Sequence, residues 1–339
     1  VSREELPTIS IVIPTYNEER NIEKCLDSVF TQKYPKDSLD VIVVDNYSGD
    51  KTIELVEGYD VRILYSRIKD AEVSKMIGLR ESQGEFFLYL DADIELVGTY
   101  WLKWILRPLL ENPDAVGSFP RFLPKKDDLA IGRFLRYHPL ELDPVLEFFC
   151  TDIDKTVVER KEKYAICKFS PSKIPPIGIC MYRRDVLATI IGSMEKFMDI
   201  DVPVILSEKG YDKFAYVPDC GIYHTNVRTI RDLLNRRLRN LRMTFLPELE
   251  ARRFRYFGLR NAKDIARIVF WIFYANFPVP SVIKGIHKSI KYGDAACMHE
   301  PLVTLLLTDL LVWEFLRNEK GRTVIRSTLV SSLRSLLQL

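Results

Sequence analysis

Two aspartates separated by one residue, Asp91 and Asp93, follow directly after the apolar run 86–90. Such a run, ending at a carboxylate pair, predicts a fully buried strand. In open α/β sheets, ligands bind outside the carboxyl ends of the strands. Two carboxylates at that place can hold a hard divalent cation, directly or through water, and the cation can carry a diphosphate. Because an Asp-x-Asp pair also occurs in ordinary surface turns, its meaning depends on the neighbouring strands.

Those neighbouring strands also end in polar residues. The β-branched run 9–13 is stopped by Pro14 and followed by Thr15-Tyr16, and the run 39–44 ends on Asp45. The apolar spacing predicts strands at 9–13, 39–44, 61–65 and 86–90 and helices at 18–32, 51–57 and 71–82. Strand and helix alternate with short links, which predicts a parallel, doubly wound α/β sheet. We therefore expect these polar residues to lie at one edge of the sheet.

The pattern becomes less regular after the fourth strand. We predict a helix at 100–110 and a strand at 115–119, and then an insertion beside the site at 120–176, where prolines and charge runs replace the periodicity. Regular patterns return as a strand-like run at 177–182, a helix around 199–209 and a short strand at 214–217. The sequence thus predicts one domain at 1–227 and a basic, then apolar, helical region at 228–339.

Length and composition are those of a globular protein with one large domain and an appendage. The chain has 339 residues, of which 47% are hydrophobic, and a net charge of +2. Residues 228–263 carry a net charge of +8, which leaves −6 for the rest and indicates one basic face. The six cysteines include no Cys-x-x-Cys pair, and residues 1–7 lack the apolar core of a signal peptide. We therefore expect reduced thiols and a location on the cytoplasmic side.

Three ordered motifs resemble the family-2 inverting nucleotide-sugar glycosyltransferases, which have the GT-A fold. They are Ile-Val-Ile-Pro-Thr-Tyr-Asn-Glu at 11–18, Val-Val-Asp-Asn-Tyr-Ser-Gly-Asp-Lys-Thr at 43–52, and the segment 84–93 with its Asp-Ala-Asp. Later matches occur at 178–184, 199–201 and 209–211, so the resemblance covers residues 8–245. It implies a Rossmann-like, mostly parallel sheet flanked by helices, a UDP- or GDP-linked sugar donor, and Mn²⁺ or Mg²⁺ as cofactor.

The resemblance also implies which residues bind the donor and the metal. In the family, the acid at Asp45 accepts hydrogen bonds from the base or ribose, although a turn or capping acid is an alternative here. Lys75 matches a position where the family often has arginine facing the nucleotide, and an exposed helix lysine is the alternative. The implied donor-binding residues are Pro14, Thr15, Tyr16, Glu18, Asp45, Lys75, Asp91, Ala92 and Asp93. The implied metal residues are Asp93 as direct ligand, Asp91, and His224, which could instead be a structural histidine.

Two positions depart from the family pattern. The family often has Ala-Arg-Asn-x-Gly before the metal strand, but this chain has Met76 in place of the asparagine. The family's Glu-Asp pair, whose second acid is the catalytic base, is Met198-Asp199 here, so Asp199 keeps the base position. A helix N-cap is the alternative role for Asp199. A hydroxyl acceptor needs such a base, whereas a phosphate acceptor is already ionised.

The region after residue 227 favours contact with a membrane. The apolar runs 268–277 and 302–316 are interrupted by prolines or acids, and neither supplies a clean span of about 20 apolar residues. With the helical stripe 324–337, they are typical of interfacial helices beside an arginine-rich face suited to anionic headgroups. We therefore expect a peripheral protein at the cytoplasmic membrane face and a lipid-linked acceptor, a polyprenyl phosphate or a glycan on a polyprenyl diphosphate. The alternative is a helical appendage packed on the catalytic domain or on a second copy of the chain.

Other functions remain open at this point. The segment 235–239 lacks the Gln-x-x-Arg-Trp motif of processive synthases, which favours transfer of one sugar per acceptor. Loss of the family residues at Met76 and Met198 would suit a binding module without catalysis, and a soluble glycan acceptor is a further alternative. Nucleic-acid binding is disfavoured, because the arginines of 228–263 alternate with leucines at helical spacing and match no binding module.

Overall fold

The computed structural model describes residues 6–171, 173–247, 252–254, 262–323 and 326. It divides into two compact units, which are described separately. Unit 1 comprises residues 1–123 and 151–225, and unit 2 comprises residues 124–150 and 226–339. The predicted insertion 120–176 is therefore split: its residues 124–150 belong to unit 2, with the C-terminal helices. The predicted stripe at 324–337, apart from residue 326, lies outside the described residues.

Within the described residues, the strands all belong to unit 1. They are β1 (Ile9–Thr15), β2 (Leu39–Asp45), β3 (Arg62–Tyr65), β4 (Phe86–Tyr89), β5 (Ile94–Leu96), β6 (Ala115–Phe122), β7 (Val157–Arg160), β8 (Ala165–Lys168), β9 (Met181–Arg183) and β10 (Lys213–His224). The helices are α1 (Ile22–Phe30), α2 (Thr52–Val56), α3 (Ala71–Glu81), α4 (Trp101–Glu111), α5 (Ala130–Arg136), α6 (Pro144–Phe149), α7 (Arg184–Ile191), α8 (Asp201–Glu208), α9 (Ile230–Asn240), α10 (Ala262–Asn276), α11 (Pro278–Tyr292) and α12 (Glu300–Arg317). Of these, α5, α6 and α9 to α12 form unit 2.

Unit 1 is built on one mixed sheet with the strand order β3-β2-β1-β4-β9-β6-β10-β8-β7, and β5 pairs with β10. The first four strands in this order are parallel, as the alternation of strand and helix predicted. The rest of the sheet is mixed, because β9 and β8 run antiparallel to their neighbours while β6 and β10 are parallel. The predicted α/β class is confirmed, but the sheet is mixed rather than mostly parallel. Parallel order ends where the strand–helix alternation ends in the sequence.

The N-terminal strands form in unit 1 because their residues are apolar on both faces. All seven residues of β1 are buried, as are all four of β4, so helices must cover both sides of the sheet. Helix α3 lies so close to β1 that a Cβ on Gly78 would be 2.2 Å from Cγ1 of Val12. Absence of a side chain at this one position therefore sets the distance between α3 and the sheet.

Two elements of unit 1 differ from the predicted bounds near the site. The strand-like run 177–182 is a strand only at Met181–Arg183, and the predicted strand 214–217 is part of the longer β10, which ends on His224. Paired with β5, this extended strand places His224 opposite Ile94. The histidine thus lies in the sheet rather than in a following loop.

Unit 2 consists of helices around its own apolar core, which includes Phe134, Trp271, Val303 and Leu307. By length and mean hydropathy, the segment Ala295–Arg317 could cross a membrane, although 39% of its apolar 18-residue window is buried within the protein. The helices 263–276 and 278–292 pass the same test only as a pair, and they are bent by 77°. The sequence analysis found no clean span in the run 302–316. The helical segment 295–317 passes this test because it begins before that run and is therefore longer.

Candidate functional site

Asp45 organises the turn after β2. It pairs in register with Thr15 at the end of β1 and is fully buried. Its Oδ1 accepts a hydrogen bond from Thr15 Oγ1 (3.2 Å), and its Oδ2 accepts one from the backbone N of Ser48 (2.8 Å). The Ser48 hydroxyl also donates to Oδ1. The turn role weighed for Asp45 is therefore present, and its contact with a base or ribose stays a prediction.

The loops that follow β1 and β2 are joined to each other in a strained conformation. Asn17 and Tyr47 both have φ of 56°, in the left-handed region that non-glycine residues rarely adopt. The backbone N of Asn17 donates to Ser48 Oγ (2.9 Å), and its side-chain Oδ1 accepts from Gly49 N (2.8 Å). These bonds hold the strained residues, and such strain is common at ligand sites.

Tyr16 follows β1 and exposes its ring at this edge of the sheet. The ring is 42% exposed, and Nζ of Lys69 lies 4.2 Å from its centroid and 2.6 Å from its hydroxyl. Pro14 and Thr15, by contrast, are buried strand residues. Of the predicted donor-binding residues Pro14, Thr15 and Tyr16, Tyr16 is thus the one that offers a flat surface to a ligand.

The acids after β4 come together with an acid of the first loop. The backbone N of Leu90 donates to Val12 O (2.9 Å), which aligns the end of β4 with β1, while Ala92 between the acids is buried. Burial raises the pKa of Glu18, and the nearby charges of Asp93 and Asp91 raise it further. The same two charges, after burial, raise the pKa of the Cys25 thiol. Glu18, Asp91 and Asp93 therefore share one electrostatic environment.

His224 lies beside Asp93. Its Nε2 is 3.3 Å from Asp93 Oδ1, and the backbone N of Thr225 donates to Asp93 O (3.0 Å). The pairing of β5 with β10 produces this contact, so two distant parts of the sequence converge. The predicted proximity of His224 to Asp93, the predicted metal ligand, agrees with this geometry. That either residue binds a metal stays a prediction.

Lys75 is the centre of a second group of charges. Its side chain is only 2% exposed, so the alternative of an exposed helix lysine is wrong. Nζ lies 2.9 and 2.8 Å from the two oxygens of Asp199, 3.3 Å from Asp91 Oδ1 and 3.5 Å from Glu72 Oε1. It also lies 4.5 Å from the ring centroid of Tyr89. Lys75 thus binds the predicted base and one of the predicted metal-site acids together.

Asp199 does not cap the helix that follows it. Helix α8 begins at Asp201 with Ile200 as N-cap and no side-chain capping bond. Its carboxylate instead pairs with Lys75 and keeps 22% of the side chain exposed, so an acceptor can reach it. Burial raises the pKa of Asp199, and Lys75 opposes this rise. The capping alternative is wrong, and the carboxylate is held at the site.

Glu72 joins this group and was not expected from the sequence. Burial raises its pKa well above the ordinary value, and the negative charge of Asp199 adds to the rise. Its Oε2 is buried and receives no hydrogen bond, whereas a protonated Glu72 can donate a hydrogen bond to Asp199. The only sequence signal was its position three residues before Lys75 on α3, which places both on one helix face.

The described residues contain no preformed cluster of three or more metal-ligating side chains. Asp91 is held by Lys75, which leaves the adjacent Asp93 and His224 as the donor pair. This pair fits a nucleotide-borne cation, because Mg²⁺ and similar ions are usually held by one or two carboxylates, substrate phosphates and water. The residues thus suit a metal that arrives with a diphosphate.

Comparison with known families assigns the chain. The sequence profile named glycosyl transferase family 2 matches residues 10–190, more than half of the chain. The chain belongs to glycosyl transferase family 2. The matched segment includes β1 from its second residue and all of β2 to β9, together with the site residues apart from Asp199 and His224. With this membership, the predicted GT-A fold is confirmed as a mixed α/β sheet flanked by helices.

Similar family-2 proteins match over shorter segments. Glycosyltransferase AglE of Haloferax volcanii is 38% identical over 94 residues, which are 26% of this chain and 31% of that protein. A dolichyl N-acetyl-α-D-glucosaminyl phosphate 3-β-D-2,3-diacetamido-2,3-dideoxy-β-D-glucuronosyltransferase of Methanococcus voltae is 35% identical over 91 residues, 25% of this chain and 28% of that protein. The matches thus span less than a third of these relatives.

Among solved structures, a mannosyltransferase of Pyrobaculum calidifontis in complex with GDP-mannose and Mn²⁺ is similar. It shares 17% identity with a TM-score of 0.49, covering 96% of this chain and 74% of that one.

Proposed function

We propose that this family-2 protein is a metal-dependent, inverting glycosyltransferase that moves one sugar from a nucleotide-diphosphate sugar to a lipid-linked acceptor. The observation that carries the proposal is the proximity of two groups of ionisable side chains at the carboxyl edge of the sheet. Asp93 and His224 form one group, and Lys75, Asp199 and Glu72 form the other. Asp91 belongs to both, through its contact with Lys75 and its charge near Glu18.

The first group suits the nucleotide diphosphate. Asp93 and His224 would hold Mn²⁺ or Mg²⁺, and the bound ion would neutralise charge on the departing diphosphate. The ring of Tyr16 and the loop held by Asp45 would contact the nucleoside. These assignments are supported by family membership and by the shared edge of β1, β2 and β4.

The second group suits activation of the acceptor. Asp199 would accept the proton of an acceptor hydroxyl as its oxygen forms a bond to the anomeric carbon, while the bond from that carbon to the diphosphate breaks on the opposite face. Lys75 would keep Asp199 oriented with both oxygens engaged. A phosphate acceptor would need no proton removal, and Asp199 would then only position it.

A lipid-linked acceptor at the cytoplasmic membrane face is part of the proposal. The Methanococcus relative is named for a dolichyl phosphate-linked substrate. In α9 and the residues around it, Arg228, Arg231 and Arg239 are exposed and can meet anionic headgroups. Not all of the arginine-rich face is available, because Arg237 pairs with Asp143 (2.6 Å) and Arg242 with Glu314 (2.6 Å) inside unit 2.

A thermal-shift panel of UDP- and GDP-linked sugars, each with and without Mn²⁺, tests the donor. We expect one nucleotide sugar to stabilise the protein, and Mn²⁺ to increase the effect. The stabilising donor is then incubated with a polyprenyl phosphate, a polyprenyl-diphosphate glycan and a soluble glycan, and the products are separated.

Each result of this experiment has a distinct meaning. Binding without transfer to any acceptor would favour the non-catalytic binding module, for which Met76 and Met198 are the motivation. Equal transfer to soluble and lipid-linked glycans would contradict the lipid-linked acceptor. Absence of stabilisation by every donor would contradict the transferase proposal itself.

A further inference from the structure

The outward faces of α10 and α11 in unit 2 are apolar. On α10 the exposed side chains include Val269, Phe270 and Phe273, and Phe277 follows at the bend. On α11 the exposed apolar side chains recur at helical spacing and are between 46% and 79% exposed: Val279, Ile283, Ile286 and Ile290. Large exposed apolar groups on two consecutive helices mark a surface that meets another apolar phase.

The inward face of α11 is polar, the reverse of a helix on a water-soluble protein. Ser281 is fully buried, and Gly285 lies against the segment 297–301, where a Cβ would meet Cys297 O at 3.1 Å. Lys284 and Lys288 also turn inward. Helix α11 therefore places Lys284 and Lys288 inside and its isoleucines outside.

Those inward charges are neutralised in pairs. Nζ of Lys284 lies 3.0 Å from Glu147 and 2.8 Å from Glu300, and Nζ of Lys288 lies 2.7 and 2.8 Å from the same two acids. Glu300 is fully buried. Such an inward ion cluster with an apolar exterior is the arrangement favoured in hydrocarbon, which offers charges no hydrogen-bond partners.

The exposed charges on these two helices are basic. Lys263, Arg267 and Lys291 are exposed, whereas Asp264, the single acid on these two helices, is half-buried. Lys263 precedes the apolar row and Lys291 follows it. A row of apolar groups bordered by cations complements an anionic lipid surface, with side chains in the acyl region and ammonium groups among the phosphates.

We propose that the outward faces of α10 and α11 enter the acyl region of one leaflet of an anionic membrane, with the bend at Phe277 and Pro278 between the two inserted helices. Inward anchoring keeps α10 in place, since Trp271 Nε1 donates to Thr308 Oγ1 (2.9 Å) and its ring packs on Phe148. The proposal rests on the membrane location in the proposed function and names the surface that would contact the membrane. It requires no transfer activity, so the two can fail separately.

The test is flotation of the full chain with vesicles of phosphatidylcholine containing phosphatidylglycerol. We expect the wild type to float with the vesicles and a Phe273→Ser, Ile283→Asn, Ile290→Asn variant to bind at least about a hundredfold more weakly, because it loses the buried area of three large apolar side chains. Leu110→Asn is the matched control, since Leu110 is an exposed apolar residue (51%) on α4 of unit 1. This control should float as the wild type does.

Two further measurements keep the test decisive. Circular dichroism establishes that the triple variant is folded, and a single Ile290→Asn variant replaces it if it is not. Sedimentation in the absence of vesicles measures the oligomeric state and so tests whether a second copy of the chain covers the surface instead. A wild-type dimer that becomes a monomer in the variant, with vesicle binding unchanged, would overturn the proposal, as would unchanged flotation of a folded variant.

Discussion

A single ammonium group, Nζ of Lys75, contacts three carboxylates in unit 1. Burial alone would lower the pKa of Lys75, but Asp199, Asp91 and Glu72 outweigh it, and its pKa lies well above the ordinary value. Three carboxylates around one buried cation are not all ionised at low cost. Burial and the charge of Asp199 raise the pKa of Glu72 well above its ordinary value. A protonated Glu72 would place Asp199 beside both a cation and a hydrogen-bond donor.

Replacing Glu72 tests this arrangement. Glu72→Gln keeps the shape and a donor group, so we expect transfer within about threefold of wild type. Glu72→Leu removes the donor to Asp199, and we expect kcat to fall about a hundredfold with little change in KM for the donor. Steady-state kinetics of both variants provide the measurement. Equal losses in both variants would mean that Glu72 acts as an ionised carboxylate.

Replacing Asp93 tests the metal site. We expect Asp93→Ala to abolish the Mn²⁺-dependent part of stabilisation by a nucleotide sugar, because it removes the carboxylate beside His224. The fold should persist, since the contact of Thr225 N with Asp93 O involves only the backbone. Thermal shifts with and without Mn²⁺ measure this, and Asp60→Ala, at an exposed acid away from the site, serves as control. Undiminished stabilisation in Asp93→Ala would contradict the assignment.

At the scale of elements, the site depends on how closely α3 packs on β1. Glu72 and Lys75 lie on α3, while Asp91 follows β4, the strand next to β1. Gly78 fixes the distance between helix and sheet, because a Cβ there would overlap the fully buried Val12 side chain. The position of Lys75 relative to Asp91 is thus coupled to a glycine one helical turn further on.

We expect Gly78→Ala to lower the free energy of unfolding by about 1–3 kcal/mol, the usual cost of overpacking a core. It should also weaken transfer, because a displaced α3 moves Lys75 away from Asp199. Chemical denaturation of the variant and of Gly49→Ala measures the first effect. Gly49 is the matched control, since a Cβ there meets nothing within 4 Å. Equal stability of the two variants would show that α3 can shift at no cost.

At the scale of the whole molecule, each unit contains its own cluster of buried charges. Unit 1 contains the sheet and the candidate site, and unit 2 contains the cluster of Lys284, Lys288, Glu147 and Glu300. Although burial raises the pKa of Glu147, Lys288 and Lys284 outweigh it and lower the pKa to about 2. The stability of unit 2 should therefore depend on pH through this acid.

Because the folded pKa of Glu147 lies below its ordinary value of 4.5, its stabilisation is complete above that pH and is lost as the pH falls toward 2. We expect unit 2 to lose about 3 kcal/mol across this window. Hydrogen exchange of peptides from unit 2 at successive pH values measures the loss. Glu147→Gln should be less stable at neutral pH and show a flatter profile, and an unchanged profile would contradict the role of the ion cluster.

Local patterns predicted much of unit 1. The strands β1 to β4 and the helices between them agree with the predicted segments to within a few residues, because both their periodicity and their end signals are local. The polar ends of β1, β2 and β4 were expected at one edge, and the parallel pairing places them there. Where a strand pairs with partners distant in the sequence, as β9 and β10 do, local patterns gave only part of it.

The sequence by itself determined the α/β class, the parallel N-terminal half of the sheet, the family motifs and the positions of Asp91, Asp93 and Asp199. These depend on residue type and spacing over a few turns or one strand. Only the tertiary structure decided that Lys75 is buried against Asp199, that Glu72 joins them, that 124–150 belongs to unit 2, and that α11 turns Lys284 and Lys288 inward. The reason is physical: burial and charge pairing depend on residues far apart in the chain, and no local pattern records which of them will meet.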